Sequence, residues 1–196
     1  MKRTSLLIGI TGPALSGKNT MARHLFLRHG FQIVSFSDPL RAGITTMFDL
    51  QEHHFRNPEK DMTIEWIGKS PRELLQTLGT EWGRDLVNRQ IWCVHMHRRI
   101  RNVLYSGKNI VIPDVQFIDD ARLICSLGGK IWRVIRPGAE TMPHRTHSGE
   151  QEQQRIVADQ DLINDGTIDD LKKHVTAAYL ETLDEQEAFN PIQVLA

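Results

Sequence analysis

The sequence predicts an α/β fold, a parallel sheet covered by helices on both faces. Three observations carry this. Short runs rich in apolar residues at Leu6–Ile10, Gln32–Phe36, Asn109–Asp114, Lys130–Ile135 and Asp161–Asn164 read as five strands. Segments with helical periodicity separate them, the alternation that lets neighbouring strands run the same way. The first strand leads straight into Gly12-Pro-Ala-Leu-Ser-Gly-Lys-Asn-Thr20, a glycine-rich turn that opens a helix.

That turn is a phosphate-binding loop by its chemistry. Glycines at 12 and 17 let the backbone curl without Cβ clashes, so successive N–H groups can face phosphate oxygens. The helix after it adds its unpaired N–H groups and the positive end of its dipole. Lys18 offers a mobile ammonium to the outer phosphates. Gly12, Leu15, Ser16, Gly17, Lys18, Asn19 and Thr20 are therefore the expected polyphosphate-binding residues. The position after the lysine, ordinarily Ser or Thr, is Asn19, and Thr20 brings the hydroxyl one place later.

A chain of 196 residues is long enough for one full core, and a single domain over 1–196 is expected. Twenty-four basic residues balance 24 acidic ones, so the general basic field of a polynucleotide binder is missing. Small phosphorylated ligands are the expected partners, with no nucleic acid and no membrane. Met1–Ile10 superficially resembles a secretion signal, but Gly9 and Gly12 interrupt a short apolar run that a first buried strand explains better. A soluble, cytoplasmic protein is expected, with Cys93 and Cys125 read as buried free thiols. Oligomeric state stays open, a homodimer being one option.

After the second strand, Ser37-Asp38-Pro39 opens a helix. Residues 51–69 are polar and broken by Pro58, an exposed segment able to move on ligand binding. Ser70, Pro71 and Glu73 form a capping-box start, continued by Leu74, Leu75 and Leu78. A long helix, largely buried, is expected from about Thr80 or Arg84 to Tyr105. Another helix spans Phe117–Leu127, and the last runs through Leu171, Val175 and Leu180. Residues 139–154, polar and rich in His, Arg and Gln, have the composition of a lid-like flap.

In parallel sheets ligands bind beyond the carboxyl ends of the strands. Besides the loop, those ends carry Ser37-Asp38, Asp114 and Arg136. Asp114 is suited to hold Mg²⁺, directly or through water; the competing reading is an acidic cap for the next helix. Phosphoryl transfer needs cations around the moving group, and Arg41, Arg72, Arg84, Arg133, Arg136 and Arg145 are candidates. Arg41, Arg72 and Arg136 have positional reasons; Arg145 has only its place in the flap. Cys93, His95 and His97 do not share a helix face, so no zinc site is expected. The four tryptophans read as core, although Trp82, beside Gly79 and Gly83, is also placed to line a base pocket.

These residues carry a resemblance. Gly17-Lys-Asn-Thr20, Phe36-Ser-Asp-Pro-Leu-Arg41, the block Lys69–Arg84, Val111-Ile-Pro-Asp-Val-Gln-Phe117 and Asn164–Leu171 together resemble the bacteriophage deoxynucleoside monophosphate kinases. The resemblance implies a P-loop kinase fold with a five-stranded parallel sheet. It also implies transfer of the ATP γ-phosphate to a deoxynucleoside 5′-monophosphate with Mg²⁺. The Gly-Lys-x-Thr form of monophosphate kinases accounts for Asn19 and gives Thr20 a phosphate or Mg²⁺ role. Lys18, Asp114 and Arg136 become the implied catalytic set. Ser37, Asp38, Arg41, Lys69, Ser70, Arg72, Gln76 and Trp82 become the implied acceptor residues, within an acceptor-binding insertion at 51–83, with Arg145 in the lid. One departure is clear: the family usually has arginine where this chain has Gln116. A dephospho-coenzyme A kinase-like enzyme and a non-catalytic nucleotide-binding module are the other readings. A second, arginine-bearing acceptor region argues against the module.

Overall fold

The computed structural model describes residues 5–138 and 152–188, and these divide into two compact units. The first comprises the chain up to Ile33 and from Val103 onward; the second is Val34–Asn102.

The first unit holds a five-stranded sheet: β1 (Leu7–Thr11), β2 (Gln32–Ile33), β3 (Ile110–Ile112), β4 (Lys130–Ile135) and β5 (Gln160–Ile163). Their order is β2-β3-β1-β4-β5 and every pairing is parallel. Register pairs Leu7 with Ile110, Ile10 with Trp132 and Ile135 with Ile163. The loop-bearing strand is thus the central one. Side chains alternate across it. Ile8 and Ile10, with Trp132 and Val134, pack on Met21, Leu25, Leu171 and Val175 of helices α1 (Lys18–His29) and α6 (Ile168–Ala188). On the other face Gly9 lies so close to Ile124 and Val115 that a Cβ would come within 3.0 Å of both. That face is covered by α5 (Ile118–Ser126).

The second unit contains α2 (Asp38–Phe48), two 3₁₀ turns (Glu52–Phe55 and Glu59–Asp61), α3 (Pro71–Gln76) and most of α4 (Ile91–Tyr105). Ile44, Leu50, Phe55 and Leu74 form its buried cluster, flanked by Phe48, Ile64 and Ile67. The polar 51–69 segment is therefore built around a buried Phe55 and carries a bridge between Ile64 and Lys69, more order than its composition implied.

Helix α3 begins as expected. The Glu73 N–H donates to Ser70 Oγ (3.3 Å), and the Ser70 N–H and hydroxyl donate to Glu73 Oε2 (2.7 and 2.8 Å). The next stretch departs from expectation. The chain continues as an 11-residue π-helix, Thr77–Val87, then breaks, so the expected long helix is two helices. Asn88 makes the break: its extended backbone donates to Gly83 O, five residues back, and its side chain accepts from Gln90 N–H (2.8 Å). Trp92 locks the wider coil, donating from Nε1 to Gly79 O (2.7 Å), its ring lying where a Cβ on Gly83 would be. Helix α4 buries only the stripe Cys93, Met96 and Ile100, while Val94 is exposed, so the expectation of a largely buried helix fails. Cys125 is likewise exposed. Of the tryptophans Trp132 is core, but Trp66 is 70% and Trp82 46% exposed.

Candidate active site

The loop leaves β1 at Thr11 and turns at Gly12, whose φ of 135° excludes side chains. A Cβ there would also lie 2.5 Å from the Val134 carbonyl of β4. Leu15 (φ 59°) and Gly17 (φ 112°) take left-handed conformations too, and Gly17 O accepts the first bond of α1 from Met21 N–H. Inside the turn, Lys18 Nζ donates to Gly12 O and Pro13 O, both at 2.6 Å. Ser16 Oγ is fully buried and has no hydrogen-bond partner. So is Thr11 Oγ1 at the end of β1. Buried hydroxyls without partners are uncommon in folded proteins, and these two flank the turn at Gly12. Asn19 is exposed and Thr20 half-buried in the first turn of α1.

Asp114 stands just past β3, and the next residue donates from Val115 N–H to Ile10 O (3.2 Å), tying this turn to the loop-bearing strand. The helix-capping work nearby is done by Asp120, which accepts from Gln116 and Phe117 N–H (3.3 and 3.0 Å), and by Glu152, which accepts from Ile118 N–H (3.3 Å). Arg136 comes directly after β4 and donates from Nη1 to Leu15 O (3.0 Å). These oxygens, Ser16, Thr20 and Asp114, are hard donors of the kind Mg²⁺ takes. Among the described residues no group of three His, Cys, Asp or Glu side chains could hold a metal alone.

In the second unit, Asp38 is not free to face a ligand with its whole carboxylate. Its Oδ2 accepts from Ser35 N–H (3.0 Å) and pairs with Arg99 Nη2 (2.8 Å), while Arg99 Nη1 donates to Ser35 O (3.2 Å). Ser37 bonds Ser35 through their hydroxyls (2.8 Å). This knot fixes the start of α2, one turn before Arg41. Arg41 Nε is buried without a partner.

Arg72 is held by Asp61 of the second 3₁₀ turn through Nε, and through Nη2 to the other oxygen at 3.4 Å. Lys60 belongs to the same cluster. Burial, with the Arg72 and Arg41 charges, pulls its ammonium below the ordinary lysine range, Asp61 opposing. Arg72 and Asp61 thus meet in this unit, with Lys60 next to Asp61 in the chain and the Arg41 charge reaching Lys60. Arg41 and Arg72 were legible in the sequence; Lys60 and Asp61 were not, because nothing local distinguishes them from surface charges. Lys69 is exposed, Gln76 half-buried, and Trp82 exposed on the π-helix. Arg84 is buried, donating to Arg89 O (3.4 Å). Arg145 and positions 139–151 of the flap lie outside the described residues.

Residues 63–175 match the sequence model of the deoxynucleotide monophosphate kinases, a span that runs from the acceptor block through the last strand into α6. The chain belongs to the deoxynucleotide monophosphate kinase family. A candidate deoxynucleotide monophosphate kinase of Acanthamoeba polyphaga mimivirus is 31% identical over 183 residues, covering 87% of this chain and 94% of that one. The family likeness is therefore to viral proteins and not to those of bacteriophages alone. Among solved structures, the Mycobacterium tuberculosis APS kinase in complex with AMPPNP and APS aligns with a TM-score of 0.52 at 16% identity, covering 90% of this chain and 98% of that one. A gluconokinase from Sinorhizobium meliloti gives 0.51 at 16% identity, over 96% and 99%. These establish a P-loop kinase fold, and the family makes the chain a nucleotide kinase, a phosphotransferase. Among the described residues no helix is long and apolar enough to cross a membrane.

Proposed function

We propose that the chain transfers the γ-phosphoryl group of ATP to a deoxynucleoside 5′-monophosphate, giving ADP and the diphosphate. The observation that carries this reading is the Arg72–Asp61 pair of the second unit, with Lys60 next to it in the chain and the buried, unpartnered Nε of Arg41, cationic groups in addition to the phosphate loop. A nucleotide-binding switch needs one anion site; a kinase acting on a phosphorylated acceptor needs two.

In this mechanism the loop N–H groups and the N-terminus of α1 hold the ATP phosphates, and Lys18 exchanges its two carbonyl partners for phosphate oxygens. Arg41, Lys60 and Arg72 neutralise and orient the acceptor phosphate. One of its oxygens forms the new O–P bond to the γ-phosphorus as the bridge to the β-phosphate breaks and ADP leaves. The acceptor oxygen is already anionic near neutral pH, so no proton need be removed first. Ser37, Asp38, Lys69, Ser70, Gln76 and Trp82 complete the acceptor side, Asp38 acting through the Arg99 knot on the helix that carries Arg41. Arg136 serves the donor side. Thr20, Ser16 and Asp114 would hold Mg²⁺, which when bound offsets phosphate charge.

The test is ADP release, measured by a coupled assay, over the four deoxynucleoside monophosphates, their ribose counterparts and dephospho-coenzyme A. Turnover with at least one deoxynucleoside monophosphate is expected. Turnover with dephospho-coenzyme A alone would transfer the fold to another acceptor, and ATP binding with no acceptor-dependent turnover would make the chain a binding module.

A further inference from the structure

The loop is held from outside by side chains at the ends of β4 and β5. Asn164 comes immediately after β5, and its N–H donates to Ile135 O (2.7 Å), carrying the β4–β5 ladder one residue further and fixing the asparagine backbone. Its side chain then donates from Nδ2 to Ser16 O (2.7 Å), a residue 148 positions away. The contact is tight enough that a Cβ on Gly17 would stand 2.8 Å from Asn164 Nδ2. One residue earlier, Leu15 O accepts from Arg136 Nη1 in the same way. Two successive loop carbonyls are thus gripped by two successive strand ends.

Peptide planarity turns this grip into a statement about the ligand side. In a trans peptide the carbonyl and the following N–H point in opposite directions. Holding Ser16 C=O toward Asn164 therefore aims the Gly17 N–H away from β5. Gly17, at φ 112°, takes a conformation that glycine enters freely, so the grip on Ser16 C=O selects one orientation of a permissive backbone. The Asn164 amide supplies the donor this contact needs. A carboxylate of the same shape has no N–H to give a carbonyl, and would set a negative charge against a polyphosphate site.

We propose that Asn164 is a positioning residue for donor-nucleotide binding, orienting the Ser16–Gly17 peptide so that its N–H meets an ATP phosphate. This rests on the reading of the loop as the ATP site. The test compares Asn164→Ala and Asn164→Asp with the full-length wild type and with Lys18→Ala. ATP affinity is measured by calorimetry, KM is determined separately for ATP and for the acceptor, and each variant is melted thermally. Loss of one hydrogen bond predicts roughly 2- to 12-fold weaker ATP binding for Asn164→Ala. Asn164→Asp should bind ATP more weakly still, while acceptor KM changes by less than about twofold for both. A purely structural role would lower the melting temperature and leave the ATP affinity of the folded variants at the wild-type value, and that result overturns the proposal. Equal losses of ATP and acceptor affinity overturn it as well. If Asn164→Asp does not fold, the Asn164→Ala comparison decides alone. Should Lys18→Ala retain full ATP affinity, the fault lies with the ATP-site reading itself, which separates the two failures.

Discussion

Replacing Asp61 by Asn should tighten binding of the monophosphate acceptor. Asp61 occupies the same guanidinium edge of Arg72, Nε and Nη2, that a phosphate would use for a two-point contact. The acceptor must therefore displace the carboxylate or share the guanidinium with it. The pair is partly open to solvent, Arg72 26% and Asp61 38% exposed by side chain, so the low range for exposed ion pairs applies. That range, about 0.2–1 kcal/mol, corresponds to a roughly 1.4- to 5-fold gain in acceptor affinity when the competitor becomes neutral. The assay is acceptor KM by coupled ADP release at saturating ATP, repeated at low and high salt. The gain should shrink with salt, since the competition is between partly solvated charges. It should also vanish in an Arg72→Ala background, where Asp61 has nothing to withhold. A rise in acceptor KM for Asp61→Asn with Arg72 intact would refute the reasoning, because it would mean that Asp61 aims Arg72 rather than competing for it.

Four further outcomes are expected. Lys18→Ala should lower turnover on the order of 10²–10³-fold in the ADP-release assay, with acceptor binding by calorimetry unaffected. Ser70→Ala removes the oxygen that accepts from Glu73 N–H, at about 1 kcal/mol, and should lower the melting temperature by about 2–4 °C. His24 and His29 are both held below the ordinary histidine range, by burial first and then by neighbouring charges. The unfolded chain therefore binds more protons between their folded values and 6.5, so stability is complete above pH 6.5 and falls as the pH drops below it. Urea midpoints should rise from pH 5 to 7, and His29→Phe, which keeps a ring against Tyr179, should flatten that rise; an unchanged slope removes His29 from the account. Gly12→Ala must place a Cβ 2.5 Å from Val134 O at a φ only glycine favours, so circular dichroism and ATP calorimetry should show lost stability together with lost binding.

What was legible in the sequence was what local chemistry encodes. The strand, Gly12 to Thr20 and helix α1 lie within one short stretch, and apolar runs revealed all five strands. Ser70, Pro71 and Glu73 announce the start of α3 because a capping box closes over three residues. The π-helix was illegible. Its side-chain types are those of an ordinary helix, and the wider hydrogen-bond spacing is stabilised from a distance by Trp92 on Gly79 and Gly83. Asn88 did carry a local signal, an asparagine able to cap the next helix, but apolar residues on both sides masked it. Trp66 and Trp82 were assigned to the core by residue type, a rule that says where tryptophans usually go and nothing of a particular surface.

The same division runs through the candidate site. Arg41 and Arg72 could be singled out because each lies just after a recognisable helix start, a position fixed by neighbours in sequence. The contacts of Asp61, Arg99 and Asn164 could not, since each meets a partner brought up by folding: Asp61 on Arg72, Arg99 on Asp38, Asn164 on Ser16. In the proposed reading Asn164 orients a loop N–H that meets phosphate and Arg99 braces the helix that carries Arg41, whereas Asp61 competes with the acceptor phosphate. A substitution at an orienting residue should therefore weaken a nucleotide by the worth of one displaced contact, and at the competing residue should strengthen it. Opposite signs from Asn164→Ala on ATP and Asp61→Asn on the acceptor would result from that difference, and sequence type alone, an amide and a carboxylate among many, could not have distinguished them.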